Sequence, residues 1–106
     1  MPFAASSSRN GGTALIRLEG ELDALTAPDF QLEVDRAAEG EVDRLVLDMT
    51  SLTYLSSAGL RALVFARQKM ADDVRIVLVS VSEEVEQTIR LVGFHRSVTF
   101  SDQIPE

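Results

Sequence analysis

The segment from Arg44 to Leu63, RLVLDMTSLTYLSSAGLRAL, constrains the fold more than any other part of this chain. Leu45-Val46-Leu47 is an unbroken apolar run, the mark of a short strand covered on both faces. Thr50 to Ser57 is polar and reads as a loop. The next run, Ala58 to Ala71, places Ala62, Leu63, Ala66 and Met70 on one side of a helix. Strand, connection and helix in that order make one turn of an α/β winding. The junction puts two serines, Ser56 and Ser57, where the helix begins. Unpaired backbone N–H groups and a partial positive charge gather at a helix start. A serine there is either a cap or a place where an added phosphate could be held. Capping accounts for one of the two hydroxyls and not for both.

The same winding repeats on either side. Ile16, Leu18 and Leu22 alternate with Arg17, Glu19, Glu21 and Asp23, with Gly20 on the apolar face, which predicts a half-buried strand. Asn10-Gly11-Gly12 is a turn signal. A weaker strand at about Phe3–Ser7 precedes it and completes an opening hairpin. Thr26-Ala27-Pro28-Asp29 opens a helix over Thr26–Glu39, with Thr26 as cap, Phe30, Val34, Ala37 and Ala38 at helical spacing, and Gly40 as the stop. Val74–Val79 is the next strand. Ser80-x-x-Glu83 resembles a capping box, and a helix over Ser82–Val92 buries Val85, Ile89 and Val92 before Gly93. A last strand covers Val98–Phe100. The expected fold is a single α/β domain: a mixed, mainly parallel sheet covered by helices, with an N-terminal hairpin.

Composition removes several functions. The 106 residues suit one domain and include no cysteine and one histidine, His95. Zinc sites and Cys-His or Ser-His catalysis therefore have little to draw on, and no metal or cofactor is expected. His95 reads as a surface residue in a short connection. The net charge of −7 opposes direct binding to nucleic acid or to anionic membranes. No apolar run reaches the length of a signal peptide or membrane span, so a cytoplasmic location is expected. Neither a phosphate-binding G-x-x-x-x-G-K-[ST] nor G-x-S-x-G occurs. In open α/β sheets, binding sites gather beyond the carboxyl ends of the parallel strands. Here those ends are Asp23–Thr26, Thr50–Ser57 and Ser80–Ser82.

Gly20-Glu21-Leu22-Asp23, then Leu47-Asp48-Met-Thr-Ser-Leu-Thr-Tyr-Leu-Ser56-Ser57-Ala-Gly59-Leu60-Arg61, resembles the STAS domain of anti-sigma factor antagonists. Val79-Ser-Val-Ser82 and Val92-Gly93-Phe94 are similar to that family's last strand–helix unit. The likeness runs from about Thr13 to Phe100. It implies a binding module and not an enzyme. Its partner would be a cytoplasmic anti-sigma factor that is also an ATPase-type serine kinase. The unphosphorylated form competes the sigma factor away, phosphorylation of one serine breaks the complex, and a phosphatase resets it. The family's common pattern is Asp-Ser-Ser-Gly, with the first serine as acceptor. Aligned on Gly59, the acceptor position is Ser57, Ala58 stands for the second serine, and Ser56 stands for the acid. Asp23, Thr26, Thr53, Ser56, Ala58, Gly59, Leu60 and Arg61 would form the contact surface. Two other readings remain open from the residues. One is an unphosphorylated STAS adaptor subunit of a transport or lipid-handling complex. The other is a small enzyme working from the Asp23 and Ser57 loops, which would lack a base and a phosphate loop.

Overall fold

Strand β2 (Thr13–Leu22) buries Ala14, Ile16, Leu18, Gly20 and Leu22 and exposes Arg17, Glu19 and Glu21, as its period of two requires. In the computed structural model, which describes residues 3–105, β2 pairs antiparallel with β1 (Ala4–Asn10) through the Gly11-Gly12 turn. Gly11 has φ +60, a conformation in which a side chain would be strained. The remaining strands, β3 (Arg44–Leu55), β4 (Arg75–Val79) and β5 (Thr99–Ser101), are parallel to β2, and the sheet order is β1-β2-β3-β4-β5. Helices α1 (Ala27–Ala37), α2 (Ser57–Lys69) and α3 (Glu83–Leu91) connect the parallel strands in turn. This is the mixed, mainly parallel sheet that the alternation implies.

Strands that follow one another in sheet order, joined by crossovers of one hand, put every helix on the same face. The buried residues of all three helices accordingly share one core with Ile16, Leu18, Leu22, Leu45, Leu47, Met49, Ile76 and Leu78. Leu45, Val46 and Leu47 are all buried, but helices do not cover β3 on both faces as expected. Val46 belongs with Val77 and Val79 to a small separate cluster on the opposite face, with half-buried Leu15 against it.

The largest departure from expectation is β3. The polar stretch after Met49 is not a loop: the strand continues to Leu55. Arg17 pairs with Asp48 and Glu19 with Ser51, and Gly20 pairs with Leu52 and Glu21 with Tyr54. At each of these steps β3 advances one residue more than β2, so it carries two bulges. The inward residues thus become Met49, Leu52 and Leu55, a spacing of three that hides the strand period. Gly20, at φ +89, lies at the second bulge.

Smaller corrections concern the ends of elements. Thr26 stands at the N-cap of α1, yet its side chain makes no capping bond. That helix ends at Ala37, with Ala38 and not Gly40 at its C-cap. The Ser80-x-x-Glu83 box is not formed: Ser82 is the N-cap of α3 and accepts from the Val85 N–H at 3.2 Å. Ser80 instead adopts φ 54 and donates its N–H to the Ser101 carbonyl, tying β4 to β5. Val92 lies beyond the end of α3 and is exposed, because the helix stops one residue before it. His95 sits half-buried in a 3-10 turn (Phe94–Ser97) and its Nδ1 is buried with no hydrogen-bond partner among the described residues.

Candidate functional site

The last two residues of β2 organise the carboxyl end of the sheet. Glu21 and Leu22 pair with Tyr54 and Leu55 of β3. The Leu22 carbonyl accepts the N–H of Ser56 at 3.0 Å, which holds the β3–α2 junction against β2. Gly59 packs on the same carbonyl. A Cβ at that position would collide with Leu22 O and approach Leu55 Cδ1 at 2.9 Å, so only glycine lets α2 come this close.

The two serines divide the work at the helix start. Ser56 is the N-cap, with extended backbone, and its Oγ accepts the Gly59 N–H at 3.1 Å. It is half-buried. Ser57 is the first helical residue and is exposed, and its hydroxyl makes no hydrogen bond among the described residues. Its backbone N–H and that of Ala58 belong to the first turn, whose donors have no partner within a helix. No acidic residue occupies that turn.

The β2–α1 loop is pinned beside this junction. Asp23 Oδ1 accepts from the N–H groups of Leu25 (2.9 Å) and Thr26 (3.1 Å). Thr26 Oγ1 accepts the Asp23 N–H at 2.9 Å and donates to the Glu21 carbonyl at 2.8 Å. The hydroxyl expected to cap α1 is thus spent on closing the loop. Thr53 Oγ1 donates to the Gly20 carbonyl at 3.0 Å, further back along the same edge.

The sequence-derived surface residues therefore fall into three groups. Thr53, Ser57 and Arg61 are exposed, and Asp23, Thr26, Ser56 and Ala58 are half-buried. Gly59 and Leu60 are buried, so they shape the surface without presenting a side chain to it. Two residues not singled out from the sequence stand at this end. Leu25 is 90% exposed and Tyr54 is 51% exposed. A leucine in a polar turn and a tyrosine in a run of hydroxyl residues are visible signals, but each is equally at home as packing.

Small-molecule chemistry finds little room here. The hollow lined by Thr53, Tyr54, Leu55, Glu84, Val85 and Thr88 holds about 70 Å³, against roughly 300–1,000 Å³ for a ligand pocket. A wider hollow of about 370 Å³ lies at the opposite end of the sheet, around the first residues of β2, β3 and β4. Asp23 is committed to its own loop, and Asp48 accepts the N–H and hydroxyl of Thr50, at 3.1 and 2.6 Å. No helix among the described residues is long and apolar enough to cross a membrane.

The family model for the STAS domain matches residues 4–106. A putative anti-sigma factor antagonist, BtrV, from Bordetella bronchiseptica is 30% identical over 84 residues, 78% of this chain and 72% of that protein. The anti-sigma-F factor antagonist RsfB of Mycobacterium tuberculosis is 24% identical over 88 residues, 83% of this chain and 72% of its own length. In fold, the chain is similar to the crystal structure of an anti-sigma factor antagonist from Mycobacterium paratuberculosis. The TM-score is 0.86 at 19% identity, covering 97% of this chain and 88% of that one.

Proposed function

This chain belongs to the STAS domain family, and from that premise we propose that it is an anti-sigma factor antagonist switched by phosphorylation of Ser57. In this reading it docks on an ATPase-type anti-sigma serine kinase in the cytoplasm and so frees a sigma factor for transcription. The kinase then modifies Ser57 and a phosphatase restores it. The protein acts by binding and catalyses nothing itself.

The observation that carries this reading is the division between the two serines. Ser56 occupies the place of the acid in the family pattern and caps the helix, as an acid would. Ser57 is left exposed, with no structural task for its hydroxyl. A phosphate on Ser57 Oγ adds about −1.5 to −2 charges and three acceptor oxygens. The free N–H groups and dipole of the first turn favour that charge, so the fold can carry it without rearrangement. The cost falls on the complex, because a docking partner must desolvate the phosphate. A loss of about 3–4 kcal/mol of binding would weaken affinity several-hundred-fold.

The test is to incubate the chain with ATP and each ATPase-type anti-sigma factor of its own organism, then map the phosphate and measure affinity before and after. Phosphate on Ser57 alone, with weakened binding, is the expected result. Ser57→Ala should bind as wild type and accept no phosphate, and Ser57→Asp should bind more weakly. Phosphate on Ser56, or equal affinity for all three forms, would overturn the assignment. A lasting complex with no transfer would instead fit an adaptor subunit.

A further inference from the structure

We infer that Leu25 and Tyr54 are the apolar anchors that hold the partner at this surface, and that they supply affinity while Ser57 supplies the switch. The inference rests on the anti-sigma reading and goes beyond it by assigning the binding energy to two residues outside the serine junction. Both residues are tied through the backbone to the end of β2. Tyr54 is paired with Glu21, and the Glu21 carbonyl accepts the hydroxyl of Thr26, the residue after Leu25. Ser56, next to Ser57, is held by the neighbouring Leu22 carbonyl. Leu25, Tyr54 and Ser57 are therefore all tethered to one two-residue stretch, at the end of the sheet that carries the proposed docking surface.

Exposure at Leu25 is built in. The Leu25 N–H is bound to Asp23 Oδ1, and the loop is closed on both sides by Thr26 and Asp23. A leucine whose backbone is held by a closed turn has little backbone freedom to lose on docking, so more of its burial is kept as affinity. Tyrosine brings a large apolar face with a polar tip, the combination found at interface centres. The polar groups beside them, Asp23, Thr26 and Thr53, are already hydrogen-bonded within the chain and have less to offer a partner. The occupant implied is an apolar patch on the anti-sigma factor, wide enough to take both side chains.

Leu91 provides an internal control. It is 86% exposed and ends α3, which starts beyond the carboxyl end of β4 and runs back toward the other end of the sheet. The experiment uses the full chain and whichever purified anti-sigma factor of its organism binds the wild type. Affinity and melting temperature are measured for Leu25→Ala, Tyr54→Ala and Leu91→Ala. Leu25→Ala should weaken binding at least tenfold at an unchanged melting temperature, and Tyr54→Ala should do the same. If Tyr54→Ala lowers the melting temperature, Leu25→Ala and a conservative Tyr54→Phe, expected to stay near wild type, carry the test. Leu91→Ala should bind as wild type. Affinities of Leu25→Ala and Tyr54→Ala within twofold of wild type would overturn the inference while leaving the anti-sigma reading intact. Equal weakening by Leu91→Ala would overturn it too, by placing the contact elsewhere. If no anti-sigma factor binds the wild type, the underlying reading fails and this one falls with it.

Discussion

Two adjacent serines with the same hydroxyl hold different positions in one helical turn, and stability measurements should separate them. Ser56 Oγ satisfies the Gly59 N–H, one of the donors that the helix start leaves without a partner. Ser56→Ala is expected to lower stability by about 0.5–2 kcal/mol in urea melts. Ser57→Ala should stay within about 0.5 kcal/mol of wild type, because an exposed side chain without partners is lost at little cost. The reverse order would mean that Ser57 is the cap. Gly59→Ala tests the close approach of α2 to β2. The added methyl meets the Leu22 carbonyl, a backbone atom that cannot swing away, so a loss of about 1–3 kcal/mol is expected. A melt like wild type would show that the helix can shift outward freely.

At the scale of elements, the helices were legible and the long strand was not. Ala62, Leu63 and Ala66 are buried on α2 where their helical spacing placed them, and Phe30 and Val34 do the same on α1. Helix periods survive because each turn is bonded within itself. Strand β3 obeys no single period, since each bulge moves the next side chain to the other face. The end of α1 was equally hidden. A distant side chain holds this end: Arg9 of β1 donates to the carbonyl of Ala37 (2.9 Å), the last residue of the helix, and to those of Glu39 (2.8 Å) and Glu41 (3.2 Å) in the connection that follows. Arg9→Ala should therefore cost about 1 kcal/mol, discounted from a charged hydrogen-bond set because the site is largely exposed. Amide hydrogen exchange should quicken in the last turn of α1 and not in α2. Uniform exchange in both helices would remove this role from Arg9.

For the molecule as a whole, the one-sided arrangement of helices makes buried positions unequal. Val74 belongs to the main core under the helices, whereas Val77 belongs to the small cluster on the helix-free face. Both are 4% exposed, so burial alone would treat them alike. The same isosteric change, valine to threonine, should separate them. At Val74 the hydroxyl is carried under the helix layer, and a loss of about 1–3 kcal/mol is expected. At Val77 the hydroxyl enters a cluster of three buried valines that no helix covers, and the loss should stay below about 1 kcal/mol. Equal losses in denaturant melts would mean that the second face is sealed as tightly as the first.

Local rules determined a large share of this protein. The alternation of periods fixed the number and order of the α-helices, and their bounds to within two residues, and the Asn10-Gly11-Gly12 turn placed the hairpin. The paired serines marked a helix start, since caps depend on nearest neighbours. The tertiary structure decided what depends on a partner strand or on distance in the chain. It settled that β3 runs to Leu55, because bulges exist only relative to β2. It put the helices on one face, because strand order is not written in any segment. It assigned the cap to Ser56, because the Leu22 carbonyl seats that residue and not the next. It left Leu25 in solvent, because Asp23 and Thr26 close the loop beneath it, and a leucine's burial is set by what the rest of the chain brings to cover it.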